Sequence, residues 1–242
     1  TNPTLWDFGK TVFHRAVLTD DYQGPALARL VTSRVKNARV FLVNDATDYS
    51  VGLAKTVDIT LAGRLVGKDT TPTGTTDFTA TIAKIKKAKA TAVIYTGYFS
   101  QASVFVKQLR DSGSKAVFAA GDGVLDAQFI KLARKAAEGV LLSAPAIPME
   151  TASPKLAAEM VKAGWKPGVY TTESYDAANF FLDAIKAGNK TRQTIERYVS
   201  TKSHKGLSKT LKFDEKGEVS GADVNGFIIR NGKIVLLGAI KA

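Results

Sequence analysis

The stretch VIYTGYFSQA, residues 93–102, passes from the pattern of a β-strand to that of an α-helix within a few residues. An apolar run ends at Ile94, the residues YTGY follow, and a helical pattern begins at about Ser100. Short apolar strands that lead into helices are typical of a parallel sheet with helices on both faces. In such sheets ligands bind beyond the carboxyl ends of the strands, so this junction is a candidate part of a binding site.

The same alternation of strand and helix patterns runs through the chain from Ala38 onward and predicts one doubly wound α/β lobe. The predicted strands are 39–43, 64–70, 90–95, 116–119 and 139–143. The predicted helices between them are 50–62, 78–88, 100–111 and 127–135. A strand-like run at 11–17 and a helix at 23–36 precede this lobe.

After the lobe, the segment SAPAIPMETASP, residues 143–154, contains three prolines and predicts a connector. Helical patterns follow at 154–163, 172–187 and 191–199, and β patterns at 209–213, 225–230 and 233–237. Asn231-Gly232 predicts a tight hairpin between the last two runs, and DEKG at 214–217 predicts another turn. Few predicted strands accompany the helices at 154–199, so this part of the chain lacks a sheet of its own for them to pack on. We therefore predict that 24–143 with 207–242 form one lobe, and that 1–23 with 144–206 form the remnant of a first lobe and the hinge crossings.

Composition excludes several classes of protein. The 242 residues are 45% hydrophobic, yet they contain no apolar run of about 18 residues, so no membrane-spanning helix is expected. The absence of cysteine excludes disulfides, zinc thiolate sites and thiol catalysis. With only His14 and His204, a histidine-built metal or triad site is not expected. The first residues, TNPTLWDFGK, lack the regions of a signal peptide, as in a chain that starts after a cleavage or within a larger gene product.

The net charge of +12 and the pI near 9.7 fit a nucleic acid partner, an anionic membrane surface or a generally basic proteome. The densest basic group, Lys84, Lys86, Lys87 and Lys89, ends an amphipathic helix pattern. No aromatic residues alternate with these lysines, as a surface that stacks on bases would require. We expect a solvated helix face and no nucleic acid partner.

Polar and aromatic residues collect where the predicted strands end. Tyr49 closes NDATDY at 44–49, and Asp122 lies in GDGV at 121–124. Tyr95 to Tyr98 are expected to line a wall of the crevice, and Gly97, Gly121 and Gly123 to let the backbone approach a ligand. The alternative for each tyrosine is a half-buried ring that packs in the fold and keeps its hydroxyl in solvent. The alternative for Asp122 is a helix cap or a turn residue. Asp126 directly precedes the next helix and is the better cap.

Motifs of known enzymes fail on inspection. GRLVGKD at 63–69 has one residue too few for a phosphate-binding loop, and no GxGxxG lies at a strand-to-helix turn. SGSK at 112–115 lies where a helix ends, whereas the nucleophile of an SxxK motif opens one. A hydrolase on a doubly wound sheet remains the alternative from another class, but the crevice loops contain no pairing of nucleophile and histidine. The chain is therefore not expected to be an enzyme.

Read in order, the crevice loops give the chain its resemblance to a known family. The matching segments are TNPTL, HRAVLTDDYQGPALA, NDATDYSVGLA, DFTATIAKIKKA, YTGYFSQA, AAGDGV, FIKLARKAAEGV and TLKFDEKGEV. Together they resemble the leucine-isoleucine-valine-binding family of solute-binding proteins that serve ABC importers. The resemblance implies the type I periplasmic-binding-protein fold, in which two α/β lobes joined by three crossing strands close on one ligand.

The resemblance also implies roles for individual residues. Tyr49 and Tyr98 look like the aromatic residues that enclose an amino acid, and Asp122 looks like the carboxylate that receives its ammonium group. Thr1 matches a threonine of the first lobe that touches the ligand. Some members have glutamate in place of Asp122, which changes the reach by one methylene group. No metal or cofactor is implied.

The expected function is thus an extracytoplasmic receptor, in the periplasm or as a cell-surface lipoprotein, for a branched-chain or other small aliphatic amino acid. The expected partners are this ligand and ABC permease subunits, and a ligand-sensing regulatory domain is the alternative. The family has a segment before TNPTL that builds most of the sheet of the first lobe, so a truncated chain is expected, completed by that segment as a separate chain. The helices of the first lobe would then expose Phe180, Phe181 and Leu182.

Overall fold

The structure is a computed structural model that describes residues 1–8, 12–221 and 223–240. It divides into two compact units. The α/β unit consists of Asn2, Asp20–Ala144 and Val224–Ala242, and the helical unit of Thr1, Pro3–Thr19 and Pro145–Asp223. Each is described by itself below. Of the helices in the described residues, none combines the length and the apolar character needed to cross a bilayer.

The α/β unit alternates strands and helices as the sequence predicts. In chain order its elements are α1 (Asp20–Arg34), β1 (Val40–Asn44), α2 (Asp48–Thr60), β2 (Leu65–Thr70), α3 (Thr79–Lys87), β3 (Ala92–Tyr95), α4 (Phe99–Asp111), β4 (Val117–Ala120), α5 (Ala127–Ala133) and β5 (Leu141–Ala144). The predicted strands were correct to within about two residues, because β1, β3, β4 and β5 are short, largely buried runs of mostly apolar residues. The edge strand β2 (LVGKDT) is partly exposed.

The described strands of this unit form one sheet in the order β2-β1-β3-β4-β5-β8-β9, where β8 is Val224–Arg230 and β9 is Lys233–Ile240. The strands from β2 to β5 pair in parallel, while β8 and β9 pair antiparallel. The Asn231-Gly232 hairpin is confirmed, since both residues have positive φ, 51° and 67°, as a primed turn requires. The predicted doubly wound parallel sheet is therefore present, with a hairpin added at one edge.

The core of the α/β unit lies on both faces of this sheet. On one face, Leu27, Leu53 and Ile94 belong to a cluster of buried side chains from α1, α2 and the strands. On the other face, Phe105 stacks on Phe78 and meets Phe118 edge to face. The sheet is thus held between two helical layers, which fixes the positions of the loops at both of its ends.

The helical unit contains the helices predicted after the connector. They are α6 (Met149–Ala152), α7 (Pro154–Lys162), α8 (Thr171–Lys186) and α9 (Arg192–Thr201), followed by the short antiparallel pair β6 (His204–Lys205) and β7 (Thr210–Leu211). The predicted connector therefore contains one short helix. The predicted DEKG turn is confirmed, because the amide of Gly217 donates to the carbonyl of Asp214 at 2.9 Å.

The strand predicted at 11–17 is not formed in its described part. Thr11 lies outside the described residues, and Arg15 makes a single bridge with Glu218. The two side chains also form an ion pair at 2.9 Å. Glu218 lies at the end of a turn. Arg15 therefore pairs with this one residue and not with a continuous strand.

The cluster of Phe180, Val199, Leu211 and Val219 forms the core of the helical unit. The structure groups residues 207–223 with this unit, whereas the sequence-based division placed them in the other lobe. The physical reason is the packing of Leu211 and Val219 on Phe180, together with bonds from the amides of residues 207 and 208 to Asp176 of α8, both 2.7 Å.

The expected exposure of α8 is partly wrong, because Phe180 is only 2% exposed. Its neighbours Phe181 and Leu182 are 50% and 48% exposed, as expected, and Ile185 is 51% exposed. Phe180 faces the core of the helical unit, while the other three side chains lie on the outer face of the helix.

Candidate functional site

Three loops meet at the carboxyl ends of β1, β3 and β4, which are neighbours in the sheet. We call the loops that follow the parallel strands the carboxyl edge. Tyr49 is the second residue of α2, Tyr98 directly precedes α4, and Asp122 opens a short 3-10 turn after β4. Because these strands are adjacent and in register, the three side chains belong to one region of the α/β unit.

Tyr49 and Gln23 donate hydrogen bonds to the same oxygen of the Asp122 carboxylate. Tyr49 Oη donates to Asp122 Oδ1 at 2.9 Å, and Gln23 Nε2 donates to it at 2.7 Å. Tyr49 Oη also accepts from the amide of Gly123 at 3.2 Å. These bonds fix the position of Asp122 Oδ1.

Gln23 is a residue of this site that sequence reasoning missed. It is fully buried, and its Nε2 also donates to the carbonyl of Ser143 at 3.0 Å. The sequence pattern started the helix at Gln23, whereas α1 begins at Asp20. The helix precedes β1, so its first turn lies at the carboxyl edge, and a polar residue in that turn was the available signal.

The rings of Tyr49 and Tyr98 form a tilted pair with centroids 5.1 Å apart and planes at 41°. Tyr49 is partly buried, and Tyr98 is 44% exposed. This geometry is a favourable one for aromatic pairs. It gives the carboxyl edge an apolar aromatic surface beside the acid of Asp122.

Burial and nearby acids keep the phenols neutral. Burial raises the pKa of Tyr49 well above its ordinary value, and the charge of Asp122 raises that pKa further. The pKa of Tyr98 is also raised, first by burial and then by Asp45 and Asp122. Tyr49 is therefore a hydrogen-bond donor to Asp122 at neutral pH.

Tyr95 does not line the crevice, so that part of the predicted wall is wrong. Its side chain is fully buried and packs against Phe105 and Phe118, with centroids 5.8 and 6.3 Å apart. Tyr95 is the last residue of β3, and its ring turns to the helix layer on the aromatic face of the sheet. Tyr98, three residues later, remains at the carboxyl edge.

The glycines of the carboxyl edge allow close packing among the site residues themselves. A Cβ atom at Gly97 would lie 2.5 Å from Asp45 Oδ2, and one at Gly121 would lie 2.9 Å from Tyr49 Oη. A Cβ atom at Gly123 would lie 3.0 Å from Tyr49 Cε1. The backbone at these glycines thus lies close to Tyr49 and Asp45, and its close approach to a ligand stays a prediction.

The remaining candidates are placed as follows. Asp126 caps α5, as predicted, since its side chain accepts from the amide of Gln128 at 2.6 Å. Thr1 belongs to the helical unit, before the 3-10 turn Pro3–Phe8. His14 and His204 also lie in the helical unit, against Ser200 and Asp183. Within the residues described, no cluster of His, Cys, Asp and Glu could hold a metal ion.

The arrangement suits a small ligand with a positive charge and an apolar body. A fixed carboxylate binds an ammonium group, and a pair of rings contacts aliphatic carbon. A family model described as periplasmic binding protein matches residues 2–222.

The chain belongs to the periplasmic binding protein family. This confirms the resemblance and the fold class that the sequence predicted, and it agrees with the expectation of a binding protein that is not an enzyme. The matched residues include every segment on which the resemblance was based, apart from Thr1 at the start of TNPTL.

Two curated relatives illustrate the membership. The chain is 31% identical over 228 residues to "Leu/Ile/Val-binding protein homolog 1" of Brucella abortus, covering 90% of this chain and 60% of the relative. It is 29% identical over 233 residues to the "Leucine-specific-binding protein" of Salmonella typhimurium, covering 94% and 63%. The chain thus spans about three fifths of the length of these relatives.

A solved structure shows the same fold. The leucine-binding protein LivK of Thermotoga maritima superposes with a TM-score of 0.87 at 27% identity. The match covers 100% of this chain and 71% of that one. The family fold therefore includes the helical unit as well as the α/β unit.

Proposed function

We propose that this chain binds a branched-chain or other small aliphatic amino acid at the carboxyl edge of the α/β unit. The observation that carries the proposal is Asp122, whose Oδ1 receives Tyr49 Oη and Gln23 Nε2 beside the Tyr49–Tyr98 ring pair. In this proposal the ammonium group of the ligand binds the carboxylate, and the aliphatic side chain contacts the rings. The names of the Brucella and Salmonella relatives support the choice of ligand class.

The proposed role is the extracytoplasmic solute-binding component of an ABC importer, in the periplasm or as a cell-surface lipoprotein. Ligand contacts from two lobes would shift an open and closed equilibrium by hinge closure, with Thr1 as a contact from the first lobe. Permease subunits are the proposed partners. Family membership supports this role, since the family is one of periplasmic binding proteins.

A further polypeptide segment is the second proposed partner, supplied as a separate chain. The relatives are longer than this chain, and α8 exposes Phe181, Leu182 and Ile185 on one face. Apolar side chains grouped in this way favour a covering partner. The proposed segment would pack on this face of α8.

The test is a ligand panel in a thermal-shift assay, followed by calorimetry. Leucine, isoleucine and valine are compared with isocaproate, which lacks the amine of leucine, and with isoamylamine, which lacks its carboxylate. We expect at least one of the three amino acids to raise the melting temperature, with a shift that grows with concentration. Isocaproate should give no shift, because it offers Asp122 a second carboxylate. Equal stabilisation by leucine and isocaproate would contradict the role of Asp122, and no shift with any amino acid would contradict the proposed ligand class.

A further inference from the structure

We propose that the end of the α/β unit opposite the candidate site is a docking surface for an anionic membrane. We call this end the amino edge, because it is where the parallel strands begin. The strand starts are level with one another, since Val40 pairs with Leu65 and with Ala92, and Ala92 pairs with Val117. Residues that come just before these strands therefore lie side by side.

A basic residue stands at almost every position along this edge. In the order in which the strands β2, β1, β3, β4, β8 and β9 lie in the sheet, the residues are Arg64, Arg39, Lys89, Lys115, Arg230 and Lys233. Arg230 and Lys233 reach the same edge because Leu141, the first residue of β5, pairs with Ile228. With strands about 4.8 Å apart, the row is about 29 Å long.

The helices that end at this edge widen the row into a disc. On one face of the sheet, Arg34 ends α1, and Lys36 follows it. On the other face, Lys87 ends α3, while Arg134 and Lys135 follow α5. Because these helices lie on the two faces of the sheet, the charges spread over an area rather than along a line.

These cations are exposed to solvent and lack acidic partners. In the part of the chain that the structure describes, none of them forms an ion pair with a carboxylate. Arg39 binds the carbonyls of Ala88 and Lys89, so it closes the end of α3. Bonding to the carbonyl end of a helix therefore accounts for the position of Arg39. Most of the other basic residues remain available to bind an anionic surface.

The acids at this edge are few. Asp111 ends α4 and is exposed. Glu138 uses its carboxylate to accept the amides of Asn231 and Gly232, at 2.9 and 3.4 Å. Asp58, near the end of α2, pairs with Lys68. The amino edge thus keeps a large excess of positive charge.

An anionic membrane fits this surface better than a nucleic acid does. Clusters of four to eight basic residues bind anionic lipid headgroups, with each residue near the membrane contributing about fivefold to the partition coefficient. Proteins that bind single strands add aromatic side chains on which bases stack. Among the described residues, the exposed aromatics of the α/β unit are Tyr22, in the first turn of α1, and Tyr98, directly before α4, and both lie at the opposite edge.

The test is sedimentation of the full 242-residue chain with vesicles. Vesicles of phosphatidylcholine with about one third phosphatidylglycerol are compared with vesicles of phosphatidylcholine alone, at low and at high salt. We expect binding to the anionic vesicles, none to the neutral ones, and loss of binding at high salt. The triple variant Lys87→Glu, Lys89→Glu, Lys115→Glu should bind the anionic vesicles at least tenfold more weakly.

A matched variant separates a docking surface from a general effect of charge. Lys155→Glu, Lys166→Glu and Lys190→Glu change three exposed lysines of the helical unit and give the same net charge. The affinity of this variant for the anionic vesicles should fall by no more than about twofold. Equal losses in the two triple variants, or no binding of the wild type to anionic vesicles, would overturn the proposal. The wild type is also compared on single-stranded DNA. Tighter binding to DNA than to the vesicles, lost in the first triple variant, would show that the partner of this surface is a nucleic acid and not a membrane. Circular dichroism of all variants checks that they fold.

Discussion

The two edges of the sheet in the α/β unit are made by the same strands and carry opposite chemistry. At the carboxyl edge, Asp122, Tyr49 and Gln23 are joined by hydrogen bonds of 2.7 and 2.9 Å, and all three are at least partly buried. At the amino edge, cations such as Lys89 and Lys115 are exposed and separate. The carboxyl edge therefore acts through fixed positions, whereas the amino edge acts through summed charge that salt weakens.

Glycines show the same contrast. Gly97 and Gly123 are required at the carboxyl edge because a Cβ atom would meet Asp45 or Tyr49. At the amino edge, Gly63 and Gly139 have φ of 83° and 77° with no atom within 4 Å of a built Cβ. The carboxyl edge needs glycine because a side chain would clash with its neighbours, and the amino edge needs glycine because the backbone there has positive φ.

The largest expected effect is on ligand binding after the change Asp122→Asn. Removing one partner of a buried charge pair costs about 2 to 5 kcal/mol, or about thirtyfold to several thousandfold in affinity for an amino acid. Calorimetry with leucine measures the loss. The control Asp126→Asn removes a nearby acid and keeps a good helix cap, so its affinity should be unchanged. Similar losses in both variants would show that Asp122 has no special role.

The next effect concerns Gln23 as a positioning residue. Gln23→Met keeps the length of the side chain but removes the donor to Asp122, and hydrogen bonds to charged groups contribute about 1.5 to 3 kcal/mol. We expect affinity for leucine to fall about tenfold to a hundredfold.

A pH profile of Gln23→Glu distinguishes positioning from packing. The new carboxyl group can donate to Asp122 only when it is protonated, and its burial beside a second carboxylate raises its pKa above the ordinary value of about 4.3. Binding by this variant should therefore recover as the pH falls, and the recovery should begin well above pH 4.3. Wild-type binding should not improve over this range. An unchanged affinity of Gln23→Met with reduced stability would assign Gln23 to packing alone.

The contrast between glycines predicts an effect on stability. Gly97→Ala places a methyl group against Asp45 and Tyr95 and should lower the free energy of unfolding by about 1 to 3 kcal/mol, measured by urea titration. Gly168→Ala is the control, because the nearest atom to its Cβ would be 3.9 Å away. Its free energy of unfolding should change by less than about 0.5 kcal/mol. Equal stability of the two variants would remove the steric argument.

The two tyrosines of the ring pair should differ when each loses its hydroxyl group. Tyr49→Phe removes the donor to Asp122 and the acceptor of the Gly123 amide, and should cost about 1 to 2 kcal/mol of stability. Tyr98→Phe changes a more exposed ring and should cost less than about 0.5 kcal/mol. A larger loss for Tyr98→Phe would reverse the order of importance within the pair.

The smallest effect is on the alkaline limit of stability. The folded pKa of Tyr49 is raised, so the native state holds this proton after the unfolded chain has released it near pH 10. The contribution of Tyr49 is present below pH 10 and is lost as the pH rises further, because the unfolded state then binds fewer protons. Urea titrations between about pH 9 and 11 should show a shallower decline for Tyr49→Phe than for the wild type. Parallel declines would contradict the raised pKa.

Much of the fold was predictable because it depends on local patterns. Short buried runs marked four of the five parallel strands, Asn231-Gly232 marked the hairpin, and Asp126 marked the start of α5. The run at 11–17 failed because strand formation depends on a partner strand, and the chain provides a turn there. Local pattern carries no information about which segment becomes the neighbour.

The site was predictable only in part. Tyr49 and Asp122 could be brought together from the rule that carboxyl ends of parallel strands share an edge. Gln23 was missed because the predicted helix began at residue 23, whereas α1 begins at Asp20 and places Gln23 in its first turn at the carboxyl edge. Tyr95 was misplaced because the direction of the last side chain of a strand depends on the pleat, and here it enters a layer of phenylalanines.

The order of elements along the chain has a consequence for synthesis on the ribosome. Strand β5 pairs with β8, but Pro145–Asp223, about 80 residues of the helical unit, are translated between them. At about 5 to 20 residues per second, β5 stays at the edge of the nascent sheet for about 4 to 16 s before β8 is synthesised. An unpaired margin of this kind is open to other chains, so a chaperone that shields it would raise the yield of folded protein.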